Sequence, residues 1–562
     1  MASRKRIYLF GSILVLLLAV AAFVEWGLNP YFSPKFRRLL QEVVVKGSDS
    51  LYRLDIGGCT VHVLEGSVTL TGCHLSIDSN QYARKKQEGT LPSLTATLQL
   101  TQVKVSGFNA WKWFMAKRVD CSSLTLVGAT MTFNRHPGFA KPAAGAPSKE
   151  LYPLIESSVR SIRIGEILLG DLRVSYDNGV PEKPFRWGFE RCEARLGGIL
   201  VDSSTVSDST RIAYASSLTI GIKQASFLTG KGLYRLTLGE LDYDFKDRAA
   251  VLRALSLQPV LNAVAFYQAV GFQQDRYTFN VPKINLIGVN ISELLQDDLF
   301  HIDSAYLEHP KILITNDRRM QPSGRSKMGK YPNQLLLNAP VDIVIRRVKV
   351  ERGSLAYGET DAKTGKEGLL TFGDVYGQLT HVTNVDASIK ENPFWKADLH
   401  ATFLDKSPLH ALFTFDLRSP TGRFSVQATL QDLEAAQLNP VTTALAGASI
   451  HSFHLDQLDC SIQGDERGAT GNLHMRYRGL KLELLKKSND TANAYSKPLL
   501  SFLVNKLAIR SDNPDGNKPE EFAEGIVQQR DPYKSFFNLI WKTMLEGIRS
   551  IAMKGLLKPK HK

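Results

Sequence analysis

The sequence predicts a mostly β protein with a few helices. A single N-terminal transmembrane helix leads into an elongated antiparallel β-groove, a curled sheet with one apolar face, and an amphipathic helix closes the chain. Three observations predict this. From about residue 50 to 510, short runs alternate apolar and polar residues and are separated by Gly, Asn, Asp and Pro. That is the period-two pattern of strands with one buried face. The stretch Val103–Phe133 is echoed by Ile284–Ile314 at a constant offset of 181 residues, with Gly107 on Gly288, Asn109 on Asn290 and Leu126 on Leu307. Finally, Arg4, Lys5 and Arg6 precede "IYLFGSILVLLLAVAAFVEW", an apolar run long enough to cross a bilayer.

Taken in order, residues 1–6 form a basic end held on the cytoplasmic side, and 7–26 the membrane anchor. Ala19-Val-Ala21 also fits a signal-peptide cleavage site, but the apolar run and Trp26 extend past it. Either reading places the rest of the chain outside the cytoplasm. Residues 27–48 contain "SPKFRRLLQEVV", a short amphipathic helix starting at Pro34. The sheet then occupies 49–530. "LTATLQL" places Leu98 and Leu100 on one face; "LHALFTFDL" does so with Phe413 and Phe415, and "RFSVQATLQ" with Phe424 and Val426. Helical interruptions are expected around 110–117, 260–270, 292–298 and 433–447.

The echo continues at an offset of 183, where "GDLRVSY" (170–176) meets "GSLAYGE" (353–359). The two copies run from about 103 to 199 and from 284 to 382, a degenerate duplication of about 180 residues. Two Pro/Gly/basic loops, "HPGFAKPAAGAPSKELYP" and "RRMQPSGRSKMGKYPNQ", read as excursions from the rim of the sheet. Face periodicity and turn glycines persist between the copies while side chains drift, which points to a required surface, with no required reactive groups.

Five cysteines are too few and too scattered for a disulfide framework. The best apolar match across the hairpin around Gly66 sets Val63 opposite Val68 and Val61 opposite Leu70, which sends Cys59 and Cys73 to opposite faces. Catalytic signatures such as GxSxG, HExxH and CxxC do not occur, and "TGK" at Thr364–Lys366 lacks the upstream glycine of a P-loop. His451 and His454, three apart on a strand, point to opposite faces and do not read as a metal pair. Asn290 and Asn489 begin glycosylation sequons. No enzyme, metal or cofactor is expected.

The formal net charge is +14, and residues 1–46 and 531–562 each hold a surplus of five cations. Nucleic-acid binding needs a basic stripe through a folded domain, whereas basic ends suit membrane surfaces. In the closing segment 531–562, Phe537, Ile540, Trp541, Met544 and Ile548 fall at helical spacing and Lys554 follows them. This composition fits a helix at a membrane interface, or equally one that caps the sheet. A one-sided apolar sheet buries its face in a sandwich, in a barrel, or in a gutter filled by ligand. A gutter lined by Leu98, Leu100, Phe413, Phe415, Phe424 and Val426 suits acyl chains.

The closing sequence also resembles a known family. "GATGNLHMRYRGLKLELL" (468–485), "LVNKLAIRSDNP" and "QRDPYKSFFNLIWKTMLEGIRSIAMKG" look like the end of AsmA-like proteins, the AsmA/TamB group, in the versions found in Bacteroidetes-type bacteria. The resemblance implies an inner-membrane, single-pass periplasmic β-groove with a cytoplasmic N-terminus. It further implies that phospholipids are the ligands and that the protein serves phospholipid transport or order at the outer membrane. An outer-membrane or envelope protein is then expected at the C-terminal end. A non-transporting scaffold for envelope assembly is the alternative, and a secreted adhesin-like protein follows if the N-terminal segment is cleaved.

Overall fold

The computed structural model describes residues 48–62, 67–92, 94–107, 115–136, 160–177, 186–205, 214–229, 232–297, 299–339, 341–445, 448–484 and 509–553, with a few isolated positions besides. Residues 1–40 lie outside these, and with them the expected basic end, the anchor 7–26 and most of the segment 27–48. So do half of the expected helix at 110–117, the sequon at Asn489, and Lys554. Among the described residues no helix is long and apolar enough to cross a membrane.

The protein is mostly β, with one large sheet. Its elements run β1 Tyr52–His62, β2 Ser67–Ile77, α1 Ser79–Gln87, β3 Leu94–Ser106, β4 Arg118–Arg135, β5 Ser161–Asp177, β6 Arg186–Val201, β7 Ser217–Thr229, β8 Tyr234–Asp244, β9 Ala249–Pro259, α2 Ala263–Val270, β10 Arg276–Ile287, α3 Ile291–Asp297, β11 Leu299–Glu308 and β12 Lys311–Asp317. There follow α4 Pro332–Leu337, β13 Asp342–Thr360, β14 Glu367–Thr383, α5 Asp386–Glu391, β15 Phe394–Phe403, β16 Ser407–Asp416, β17 Phe424–Glu434, α6 Ala435–Leu445, β18 Ala448–Asp465, β19 Gly468–Leu484, β20 Phe522–Gln529 and α7 Phe536–Ala552. The helices expected near 260–270, 292–298 and 433–447 are α2, α3 and α6. Two compact units divide the chain: Met1–Leu255 with Asn285–His301, and Ser256–Ile284 with Ile302–Lys562.

The sheet is not antiparallel throughout. β4 pairs with β5 in parallel, as Leu124 opposite Ile167 shows, and β12 pairs with β13 in parallel, Ile314 opposite Tyr357. The two long Pro/Gly/basic loops connect these two pairs. They are crossovers and not rim excursions, because a parallel neighbour is reached only by a return connection of a dozen or more residues.

Left-handed backbone positions recur at the offset of the sequence echo. Gly107 (φ 65°) matches Gly288 (φ 72°) and Gly128 (φ 63°) matches His309 (φ 51°), both at 181 residues. A Cβ at Gly128 would stand 2.3 Å from Thr101 Oγ1, so glycine is required at that position. At His309 the same bend is made by a residue with a side chain, which is why the echo is faint in the letters.

In the first unit, Leu70, Val119, Leu124, Ile162, Ile164 and Val201 are fully buried in one cluster drawn from β2, β4, β5 and β6. Its strands do not alternate uninterruptedly. On β2 the buried residues pass from Leu70 to Cys73 and Leu75, and the reversal falls at Gly72 (φ 61°). The hairpin register is also two residues away from the sequence expectation, with Val61 opposite Val68 and Cys59 opposite Leu70. A two-residue slip keeps every side chain on its face, so the alternation pattern did not distinguish the two registers. The reversal at Gly72 turns both Cys59 and Cys73 toward the same cluster. That corrects the expectation of opposite faces; even so, no disulfide joins them. Burial pushes the Cys73 thiol up to about 11 and Cys121 to about 12.

Candidate functional site

The second unit carries an apolar sheet face that is packed at one end and half-open at the other. Register fixes its rows. Ala397, Phe413, Val426 and Ile462 stand opposite one another across β15–β18, and Leu399, Ala411, Ala428 and Cys460 form the next row. Leu355, Phe372 and Phe403 continue the face onto β13–β15. The intervening residues Asp398, Leu412 and Gln427 point to the other side, as period two requires.

At the packed end α7 lies on β19 and β20 and closes the face. Ser535 caps the helix, its hydroxyl accepting from the Asn538 N–H. Phe536, Leu539, Ile540, Thr543, Gly547 and Ile551 form its buried stripe. Gly547 allows close approach: a Cβ there would meet Ile526 Cδ1 at 2.7 Å and Leu473 Cβ at 3.0 Å. The Phe536 ring lies 4.7 Å from Phe424, 5.1 Å from Tyr331 and 5.7 Å from Phe415. Tyr331 comes from the β12–β13 crossover and is 1% exposed. Its hydroxyl donates to the Asp465 carbonyl at 3.2 Å, and burial pushes its pKa up to about 12.

The residues expected to line a groove therefore separate into three environments. Leu98 and Leu100 belong to the packed cluster of the first unit. Phe415, Phe424 and Val426 are buried beneath α7 and Tyr331 in the second. Phe413 sits at the margin, half-buried, its ring 6.3 Å from Phe415 and 6.5 Å from Phe537. Beyond it Leu399, Ala411, Phe403, Phe372 and Leu355 are only half-buried.

The expected interface residues divide as well. Phe537 and Trp541 are 62% and 51% exposed; Met544 and Ile548 are half-buried, and Ile540 is buried against the sheet. Ile540 is thus a capping contact and not an interface residue, because the sheet-facing stripe is one residue out of phase with the one expected. Phe536 and Tyr331 are the contacts that sequence reasoning missed. Thr543 and Gly547, small residues four apart in an apolar helix, were the available signal for the close-packed side.

A concavity of about 1290 Å³ opens in the first unit. It is lined by Gln99, Arg173, Arg191, Lys223, Glu240 and Asp242 among others, and Arg253 bridges Glu240 and Asp242 at 2.8 and 2.6 Å. A mixed-charge lining of this kind does not favour hydrocarbon. The half-open apolar face in the second unit does, since each CH₂ withdrawn from water there contributes about 0.8 kcal/mol.

Fold and site together define a mostly β protein that presents an extended, partly uncovered apolar sheet face. No protein-family model matches the chain, and no curated protein matches it.

Proposed function

We propose that the protein binds phospholipid acyl chains on the apolar face of its second unit and conducts them along it, as an AsmA-like envelope protein. The observation that carries this reading is the half-buried state of Leu355, Phe372, Leu399, Phe403 and Phe413 on one continuous face. A contiguous apolar surface that the fold leaves incompletely covered is a candidate binding surface. Transfer along such a face needs no covalent chemistry. The resemblance of the closing segments to AsmA-like proteins, the apolar run 7–26 and the basic ends support a membrane-anchored placement, with the N-terminus cytoplasmic and the sheet in the periplasm. Recurrence of left-handed positions at the echo's offset supports a tandem duplication that lengthens the sheet.

The second reading is a non-transporting scaffold for envelope assembly, favoured by the packing of Leu98, Leu100, Phe415 and Phe424 in closed cores. One experiment separates the two. A photo-crosslinking residue is placed at Phe372, Phe413 or Leu412 in the full chain in its native envelope, and adducts are identified by mass spectrometry. Phospholipid captured at 372 and 413 but not at 412 supports conduction. Stable protein with no lipid at any of the three overturns it in favour of the scaffold.

A further inference from the structure

We infer that the polar face of the second unit carries a divalent transition-metal site formed by Asp398, His400 and His410. Three features place these residues together. His400 and His410 are direct cross-strand partners on β15 and β16. Asp398 lies two residues before His400 and so shares its face. One donor atom from each of the three lies within 4.8 Å of the others.

The surroundings distinguish this cluster from an ordinary histidine–carboxylate pair. His301–Glu293 and His451–Glu483 each join one imidazole to one acid. Here His410 Nε2 meets Asp398 Oδ1 at 2.7 Å, while the His400 ring stacks on His410 at 4.2 Å with a 5° interplanar angle. Tyr376 stacks on the same His400 ring at 5.0 Å. Two imidazoles are thus held face to face with a single carboxylate beside them.

Donors around one tetrahedral zinc are separated by roughly 3.3 Å, given bonds of about 2.0–2.1 Å. The present separations, 2.7 Å for Asp398–His410 and within 4.8 Å for the set, bracket that spacing, and side-chain rotation can adjust them because Asp398 and His410 are each nearly half exposed. Parallel stacked rings direct their lone pairs side by side, so binding swivels at least one imidazole out of the stack. Two imidazoles and a carboxylate select Zn²⁺, Cu²⁺, Ni²⁺ or Co²⁺ over Mg²⁺ and Ca²⁺. Three protein ligands leave at least one coordination position for water or a second ligand. The sequence hid the site because its members are split between two strands and complete no spacing motif.

The test uses the full chain without a polyhistidine tag and two probes. Equilibrium dialysis against ZnCl₂ should find one tight equivalent, and His400→Ala, His410→Ala and Asp398→Asn should each weaken it about tenfold or more. His474→Ala, on β19 three strands away from β16, should leave it unchanged. Titration of the unmodified chain with Co²⁺ should give a visible absorption band of a low-coordinate nitrogen–oxygen site, removed by added Zn²⁺. This second readout does not depend on any variant folding. Absence of a tight equivalent and of the cobalt band overturns the assignment, as does unaltered binding by the double His400→Ala/His410→Ala variant.

Discussion

Replacing Phe536 with alanine tests whether α7 is an integral cover of the sheet. Phe536 is 5% exposed, and its ring contacts Tyr331, Phe415 and Phe424. A buried phenylalanine hides about 150–250 Å², worth about 4–6 kcal/mol at about 25 cal/mol per Å². Alanine keeps the Cβ and the neighbours relax in part, so about 3–5 kcal/mol is the expected cost. Each 1.4 kcal/mol is about a factor of ten. Amide exchange across α7 should therefore accelerate by roughly two to three and a half decades, read by hydrogen–deuterium exchange and mass spectrometry on peptides spanning 536–552. Phe537→Ala is the control, since that ring is 62% exposed and its loss should change exchange by less than about tenfold. Equal effects from the two substitutions would refute the assignment of the buried stripe and return α7 to a free interfacial helix.

Two further substitutions probe the frame of the same unit. Gly377 adopts φ 143°, and a Cβ there would stand 2.1 Å from the Asp398 carbonyl oxygen. Gly377→Ala should cost about 3 kcal/mol or more through strain and clash together; a loss below about 1 kcal/mol in urea unfolding would show that β14 and β15 separate easily at this point. Asp317 is buried, and hydrogen bonds from the Arg319 side chain, 2.6–3.2 Å long, hold its carboxyl below the usual range. A lowered folded-state value stabilises fully above the unfolded value of about 3.9 and is lost as pH falls through the lower one. The stability gap between wild type and Asp317→Asn should accordingly be constant from pH 5 to 8 and shrink below about pH 4. A gap that widens on acidification would reverse the sign of the argument.

Much of the candidate site was legible locally. The pattern "LHALFTFDL" put Phe413 and Phe415 on one face and Leu412 on the other, and pairing with β15 and β17 has them so. Alternation is a property of the extended backbone itself, so it survives wherever a strand runs uninterrupted. It fails where one residue turns left-handed. Gly72 does this between Leu70 and Cys73, and a glycine in the letters does not announce which phase follows it.

The sequence by itself determined the β class, the apolar faces, three of the interrupting helices and the distance at which the chain echoes itself. All of these follow from periodicities of a few residues and from turn chemistry. Only the tertiary structure decided that β4–β5 and β12–β13 run parallel, and that a crossover tyrosine docks under α7. It alone showed that Phe415 and Phe424 are covered while Phe372 and Leu399 stay half-open. Each of these depends on which distant segments meet. A local pattern fixes which side of a strand is apolar, but what covers that side is set by contacts between residues a hundred or more positions apart.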